Sequence, residues 1–296
     1  MWADSWIGKD MEIRVHNLRF VYSKGTPLEV CALEDISFAV DPGRIVGILG
    51  GTGSGKTTLM RILGGFLTPT EGTVLIDGRN TREMGPGLKR NIGVVFQMPE
   101  RQLFEETVYR DISFVMRRFS ELPDSEIRTR VRAACDSLRL DIDRIGDRSP
   151  STLSDADKRK VAIAAMLVNE PETLILDEPA VGLDPPSVTD LVQVLRRVHA
   201  SGERTVIIVS HDMEFFLPII DLVLVLDSGR AVTFGRPQEV WERLGEDPNL
   251  RDLLPGPALL VHELRRAGLA VSWDDLSAAS LADRLTDLYR LAGVRG

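Results

Sequence analysis

The run Gly50-Gly51-Thr52-Gly53-Ser54-Gly55-Lys56-Thr57-Thr58 contains the spacing G-x-x-x-x-G-K-[ST]. Each residue type in it has a chemical use. Glycines let backbone N–H groups converge on phosphate oxygens, and a helix that starts there adds a favourable dipole. Lys56 would reach the β- and γ-phosphates of a nucleoside triphosphate, and the Thr57 hydroxyl would ligate Mg2+. Chance produces this spacing in only about one in a hundred chains of this length. A second group, Thr173-Leu174-Ile175-Leu176-Asp177-Glu178, is an apolar run ending in adjacent carboxylates. Beside a phosphate loop, Asp177 would hold Mg2+, usually through water, and Glu178 would polarise the water that attacks the γ-phosphate. Alone, such acids often just cap the turn after a strand; the phosphate loop favours the chemical reading.

These groups need strands that end at one place. The runs Ile45–Leu49, Gly93–Phe96, Leu174–Leu176, Val206–Val209 and Leu222–Leu226 are short and rich in Val, Ile and Leu, as in strands buried on both faces of a largely parallel sheet. Ile13 to Phe20 reads as a further strand, and Thr233 to Arg236 closes the last strand region. Helical patterns fall at about 56–64, 186–200 and 212–218, and from about 104 to 169 no strand interrupts them. The expected fold class is α/β. It divides into a leader (1–10, with Met11 a plausible alternative start), a nucleotide-binding domain (11–235) and a helical extension (236–296) punctuated by Pro255-Gly256-Pro257 and Gly268. A helical subdomain is expected inside the second part, over about 98–169.

Composition sets outer limits. The 296 residues are 43% hydrophobic and 27% charged, which excludes collagen-like, disordered and disulfide-scaffold chains. With 36 Lys+Arg against 44 Asp+Glu the net charge is −8, so no whole-protein basic footprint exists and nucleic acid is not an expected partner. Cys31 and Cys135 fit no metal-ligand spacing and read as a buried, reduced pair in a cytosolic protein. The longest apolar stretch, Met213 to Leu226, is broken by Glu214, Pro218 and Asp221, whereas a membrane span needs about 20 apolar residues. The N-terminal residues carry acids where a signal peptide carries bases. Any membrane role is therefore expected to come through a partner.

With these motifs, the chain resembles the ATP-binding cassette (ABC) ATPases, and further landmarks of that family follow in order. Tyr22 stands where the family stacks an aromatic ring on adenine. Gln97 resembles the Q-loop glutamine that touches Mg2+ and the attacking water. Ala180-Val181-Gly182-Leu183-Asp184 resembles the D-loop, and His211 the switch histidine that contacts the γ-phosphate. One landmark departs. Where the family has the signature Leu-Ser-Gly-Gly-Gln, this chain reads Leu153-Ser154-Asp155-Ala156-Asp157, followed by a well-matched Lys158-Arg159-Lys160-Val161-Ala162. In the family that segment opens a helix facing the γ-phosphate held by the other subunit of a dimer. A carboxylate about 6 Å from a phosphate charge costs roughly 3 kcal/mol at an effective dielectric of about 20. The expectation is loss of signature function; the bland alternative is that the aspartates turn away and cap the helix.

The segment from Val94 to Val108, together with Tyr22 to Glu29 and Ala32 to Phe38, resembles the ATPase subunits of energy-coupling factor (ECF) transporters, which include the cobalt type. That resemblance implies ATP and Mg2+ as cofactors and a peripheral place on the cytoplasmic face of the membrane. It also implies a vitamin or metal-ion importer in which two ATPases sit under a membrane scaffold protein and a substrate-binding membrane protein. The damaged signature favours a heterodimer with a second ABC ATPase, and the C-terminal extension is implied to help dimerise. Glu100, Glu105 and Glu106 are expected to line the groove that receives an arginine-bearing scaffold helix; alternatively, Glu106 forms a solvated helix pair with Arg110. Two other readings stay open: a catalytically weak regulatory subunit, and a soluble ABC ATPase unrelated to transport.

Overall fold

The computed structural model describes residues 12–83, 91–98, 102–200, 204–273, 276 and 280–286. Its centre is a six-stranded sheet built from β3 (Ile45–Leu49), β6 (Ile92–Val95), β7 (Thr173–Asp177), β8 (Thr205–Val209), β9 (Leu222–Asp227) and β10 (Arg230–Gly235). The order across it is β10-β9-β3-β8-β7-β6; β9 through β6 run parallel and β10 returns antiparallel on one edge. Every residue of β3, β7 and β8 is buried. The alternation of side chains explains why: Leu174, Leu176, Val206 and Ile208 enter one core, while Ile175, Ile207 and Val209 enter the other.

A second, four-stranded antiparallel sheet covers one face, in the order β2 (Val30–Val40), β1 (Ile13–Tyr22), β4 (Glu71–Ile76) and β5 (Arg79–Asn80). Leu18, Ile36 and Val74 from it share a core with Ile48 of β3 and with Leu59, Met60 and Ile62 of α1 (Lys56–Leu63). The opposite core joins the large sheet to the helices α2 (Val108–Phe119), α3 (Asp124–Ser137), α4 (Ile142–Ile145), α5 (Asp155–Leu167) and α6 (Pro185–Ala200). It continues into α7 (Pro237–Glu246), whose fully buried Trp241 fastens the extension, and α8 (Gly256–Arg266).

Three expectations change. Residues 212–218 form turns and a short 3-10 helix at Leu217–Ile219, not an α-helix, because Pro218 has no N–H to continue one. The extension is not helical throughout: residues 269–272 lie outside any helix, between α8 and a helical segment at 280–286. The cysteines are not a buried pair, since only Cys135 is buried and Cys31 is exposed on β2. Among the described residues, no helix is long and apolar enough to cross a membrane, and residues 1–10 lie outside the described part.

Candidate functional site

The phosphate loop joins β3 to α1. Gly50, Gly53 and Gly55 all have positive φ, and a Cβ on Gly50 would run into the Leu226 carbonyl and the Ser54 hydroxyl. Gly50 is therefore held to glycine by the backbone packed against it, and the loop takes a conformation that only glycines adopt freely. Its helix starts bare: Gly55 is the N-cap, no side chain caps α1, and its first turn has no acid. The Lys56 ammonium donates to the carbonyls of Gly50 (2.6 Å) and Gly51 (2.9 Å), folding over the loop. Burial pushes the lysine's pKa down, while Glu178 and Asp177 oppose that shift. Thr57 is exposed, Thr58 is buried, and the buried Ser54 hydroxyl has no partner among the described residues.

Parallel strands bring the other candidates to the same end of the sheet, since β7 and β8 pair in register through Asp177 and Val209. Asp177 is buried, which raises its carboxyl pKa to about 6; Glu178 adds to the shift, and Lys56 and Arg159 work against it. Glu178 follows with φ 50°, a left-handed backbone unusual for a residue with a side chain. Its carboxylate is held on three sides. Ser210 Oγ donates to Oε2 at 2.7 Å, the His211 backbone N–H donates to Oε1 at 3.0 Å, and His211 Nδ1 lies 2.8 Å from Oε1. A proton on Nδ1 leaves His211 Nε2 to accept, or, in the imidazolium, to donate to a phosphate oxygen. The His211 ring is 61% exposed.

The other residues are placed as follows. Gln97 is exposed just beyond β6, and its carbonyl accepts from Arg159 Nη2 at 2.8 Å. Tyr22 is half-buried; its hydroxyl lies 3.2 Å from Thr58 Oγ1 and its ring meets Phe20 edge-on at 4.8 Å. Asp184 is exposed and opens α6 by accepting from Ser187 N–H; hydrogen bonding by the Ser187 side chain, more than by that N–H, holds its carboxyl below the usual range. At the departed signature, Ser154 caps α5 through Asp157 N–H (3.1 Å), and the exposed Asp155 pairs with Lys158 at 3.1 Å. Asp157 is half-buried in the same first turn, and Ala156 lies between the acids.

The expected acidic groove is not what surrounds Glu105. That residue lines a cavity of about 300 Å3 with Arg110, Phe114, Arg117 and Arg118, so bases outnumber acids there. Glu106 makes the helical pair with Arg110 at 3.0 Å, and Glu100 lies outside the described residues. Sequence reading missed four residues that hold the site. Gln102 closes the free edge of β6 by donating to Val94 O and accepting from Phe96 N–H, both at 3.0 Å. The buried Asp111 accepts from the N–H groups of Phe104 and Glu105. Ser210 anchors Glu178, and Arg159 donates to the carbonyls of Glu178 and Gln97. Only Arg159 left a trace in the sequence, as a charge at the head of the apolar run Val161–Leu167.

A loop of positive-φ glycines, an uncapped helix start and a Ser54 hydroxyl without a partner among the described residues together fit the triphosphate of ATP. The ABC transporter family model matches residues 33–181. The chain belongs to the ABC transporter family. Within it, the chain groups with the ATP-binding proteins of energy-coupling factor transporters. The EcfA2 protein of Acetivibrio thermocellus is 40% identical, over 95% of this chain and 100% of that protein. EcfA2 of Thermotoga maritima is 42% identical, over 79% of this chain and 86% of its own length. A solved structure of cbiO1 from Clostridium perfringens, described as part of the ABC transporter complex cbiONQ, superposes with TM-score 0.69 at 35% identity, covering 87% of this chain and all of that one. The ABC fold, its ATP-binding character and an ATPase activity coupled to transport follow from this membership.

Proposed function

We propose that this ABC ATPase powers an ECF-type importer of a vitamin or metal ion, as one of two ATPases held peripherally against a membrane scaffold on the cytoplasmic side. The observation that supports it most is the convergence of Lys56, Asp177, Glu178 and His211 at the strand ends around the uncapped start of α1. ATP would lie with its phosphates on Gly50 to Thr58 and its adenine toward Tyr22. Thr57 and Asp177, with Gln97 nearby, supply an oxygen-rich donor set suited to Mg2+, most of whose ligands would be phosphate and water. The cation would neutralise charge developing on the transferred phosphoryl group. Glu178 would accept a proton from the attacking water while Ser210 and His211 fix its carboxylate. Residues 11–235 form the nucleotide-binding domain in this reading, with 236–296 as a dimerisation segment and 1–10 as a leader.

The scaffold is the partner proposed for the Q-loop side, near Glu100, Glu105 and Glu106, and a substrate-binding membrane protein completes the complex. The favoured pairing is a heterodimer, because an acid-bearing signature in both subunits would face both nucleotides with carboxylates. The test uses the complex purified through a tag on this chain. A second ABC ATPase should co-purify, and Glu178→Gln should cut phosphate release by about a hundredfold or more while ATP binding survives. Equal turnover by this chain alone and by the complex sinks the pairing. Unchanged turnover in Glu178→Gln favours the second reading, a regulatory subunit. That reading draws on the two acids in the first turn of α5.

A further inference from the structure

The side chain of Arg159 is not explained by nucleotide contact, yet two of its hydrogen bonds end on the two residues assigned to water activation. It sits on the second turn of α5, in the helix that begins at the signature, and is 6% exposed. Nη1 donates to the Glu178 carbonyl at 2.6 Å and Nη2 donates to the Gln97 carbonyl at 2.8 Å. These acceptors come from separate segments: Gln97 leaves the edge strand β6, and Glu178 leaves β7 beside it. Glu178 adopts a left-handed backbone that needs external support, and its carbonyl otherwise receives only a longer bond from Val181 N–H at 3.2 Å among the backbone bonds of that turn. A guanidinium reaches both carbonyls at once because its donors lie in one rigid plane; an ammonium is a compact point charge on a flexible stem.

We propose that Arg159 is a positioning residue for hydrolysis. It ties α5 to the backbones of Gln97 and Glu178, so that a displacement of the signature helix moves both water-handling groups together. This rests on the reading that Gln97 and Glu178 act on ATP bound by this chain. It assigns a use to α5 that survives the loss of the signature glycines: even where Asp155 and Asp157 face a neighbouring site poorly, the helix still governs the geometry of its own chain's site.

The test compares wild type, Arg159→Lys, Arg159→Met, Gln97→Ala and the Arg159→Lys/Gln97→Ala double variant, each as the full chain in its purified complex. Lys56→Ala is the control for the underlying reading. The tie predicts that Arg159→Lys keeps the KM for ATP within about twofold yet lowers kcat about tenfold or more, the scale of one charge-assisted hydrogen bond. It also predicts that the double variant loses less than the product of the two single losses, because part of the Arg159 effect passes through Gln97 and part through Glu178. Hydrogen exchange supplies a readout that needs no turnover: amides at 96–98 and 178–181 should exchange faster together in Arg159→Lys, while those within β3 do not. Full activity in Arg159→Lys, a KM that rises in step with the fall in kcat, or additive losses in the double variant would overturn the proposal. If Lys56→Ala hydrolyses ATP as fast as wild type, the ATPase site reading fails on its own account. Exchange at the two segments then decides whether the tie exists.

Discussion

Two helices of this molecule begin in the same way and end up with opposite electrostatics. Both α1 and α5 follow a loop with their first-turn N–H groups directed out of the helix, the arrangement that attracts anions. At α1 the cap is Gly55, no side chain accepts those N–H groups, and the first turn has no acid. At α5 the Ser154 hydroxyl takes the Asp157 N–H, and Asp155 and Asp157 bring two carboxylates to the dipole. One start is left to an external anion and the other supplies its own. The lesson is that a helix N-terminus binds phosphate only when its own residues leave the donors unspent; a structural match to a family's helix does not by itself carry the family's ligand.

The sharpest way to break the contrast is to make α5 resemble α1. Asp155→Gly with Asp157→Gln should remove a repulsion of about 3 kcal/mol from any phosphate it faces, raising turnover at that site about a hundredfold. Steady-state phosphate release in the pair of ATPases measures it, and an unchanged rate would mean that the aspartates never face nucleotide. Next in size, Lys56→Ala deprives the phosphates of one charge-assisted bond worth about 1.5–3 kcal/mol, so ATP affinity read by calorimetry should fall at least tenfold.

Asp177→Asn tests stability against activity, and its two readouts move in opposite directions. The carboxyl is raised from 3.8 to about 6, chiefly by burial, so at pH 7 it is charged in the folded chain at a cost of about 3 kcal/mol. The sign follows from proton counting: the folded state holds this proton more tightly than the unfolded state. The penalty is therefore complete above pH 6 and fades as the pH falls toward 4. Asp177→Asn should raise Tm at pH 7, leave it nearly unchanged at pH 4, and abolish Mg2+-dependent ATP hydrolysis. A lower Tm at pH 7 would contradict the burial argument. Smallest is Ser154→Ala, which removes the cap that distinguishes α5 and should cost about 1 kcal/mol in urea unfolding with little change in ATP affinity.

The same distinction between local and distant causes divides what could be read beforehand. The loop between β3 and α1 and the place of Asp177 and Glu178 at the end of β7 were legible because both are contiguous motifs, and a contiguous motif dictates its own backbone. The two-sided strands were legible because apolar runs of three to five residues, rich in Val and Ile, leave no face for water. The helix expected at 212–218 was misread because the apolar residues there, Met213, Phe216 and Leu217, are buried by a turn that Pro218 enforces rather than by helical periodicity. The bases around Glu105 were not legible because Arg110, Arg117 and Arg118 line its cavity from α2, which sequence distance does not show.

The sequence by itself therefore determined the family, the phosphate cradle, the order of the strands' chemistry and the departure at Asp155-Ala156-Asp157. Tertiary structure decided how the site is held. It closed Gln102 over the edge of β6, set Ser210 and His211 on the Glu178 carboxylate, and ran Arg159 through the core to the carbonyls of Gln97 and Glu178. Phosphate binding depends on backbone conformation over a few consecutive residues, which local residue types fix. Holding two loops in register depends on hydrogen bonds to carbonyls, which every residue possesses; no residue type marks the acceptor, and only the packed chain selects it.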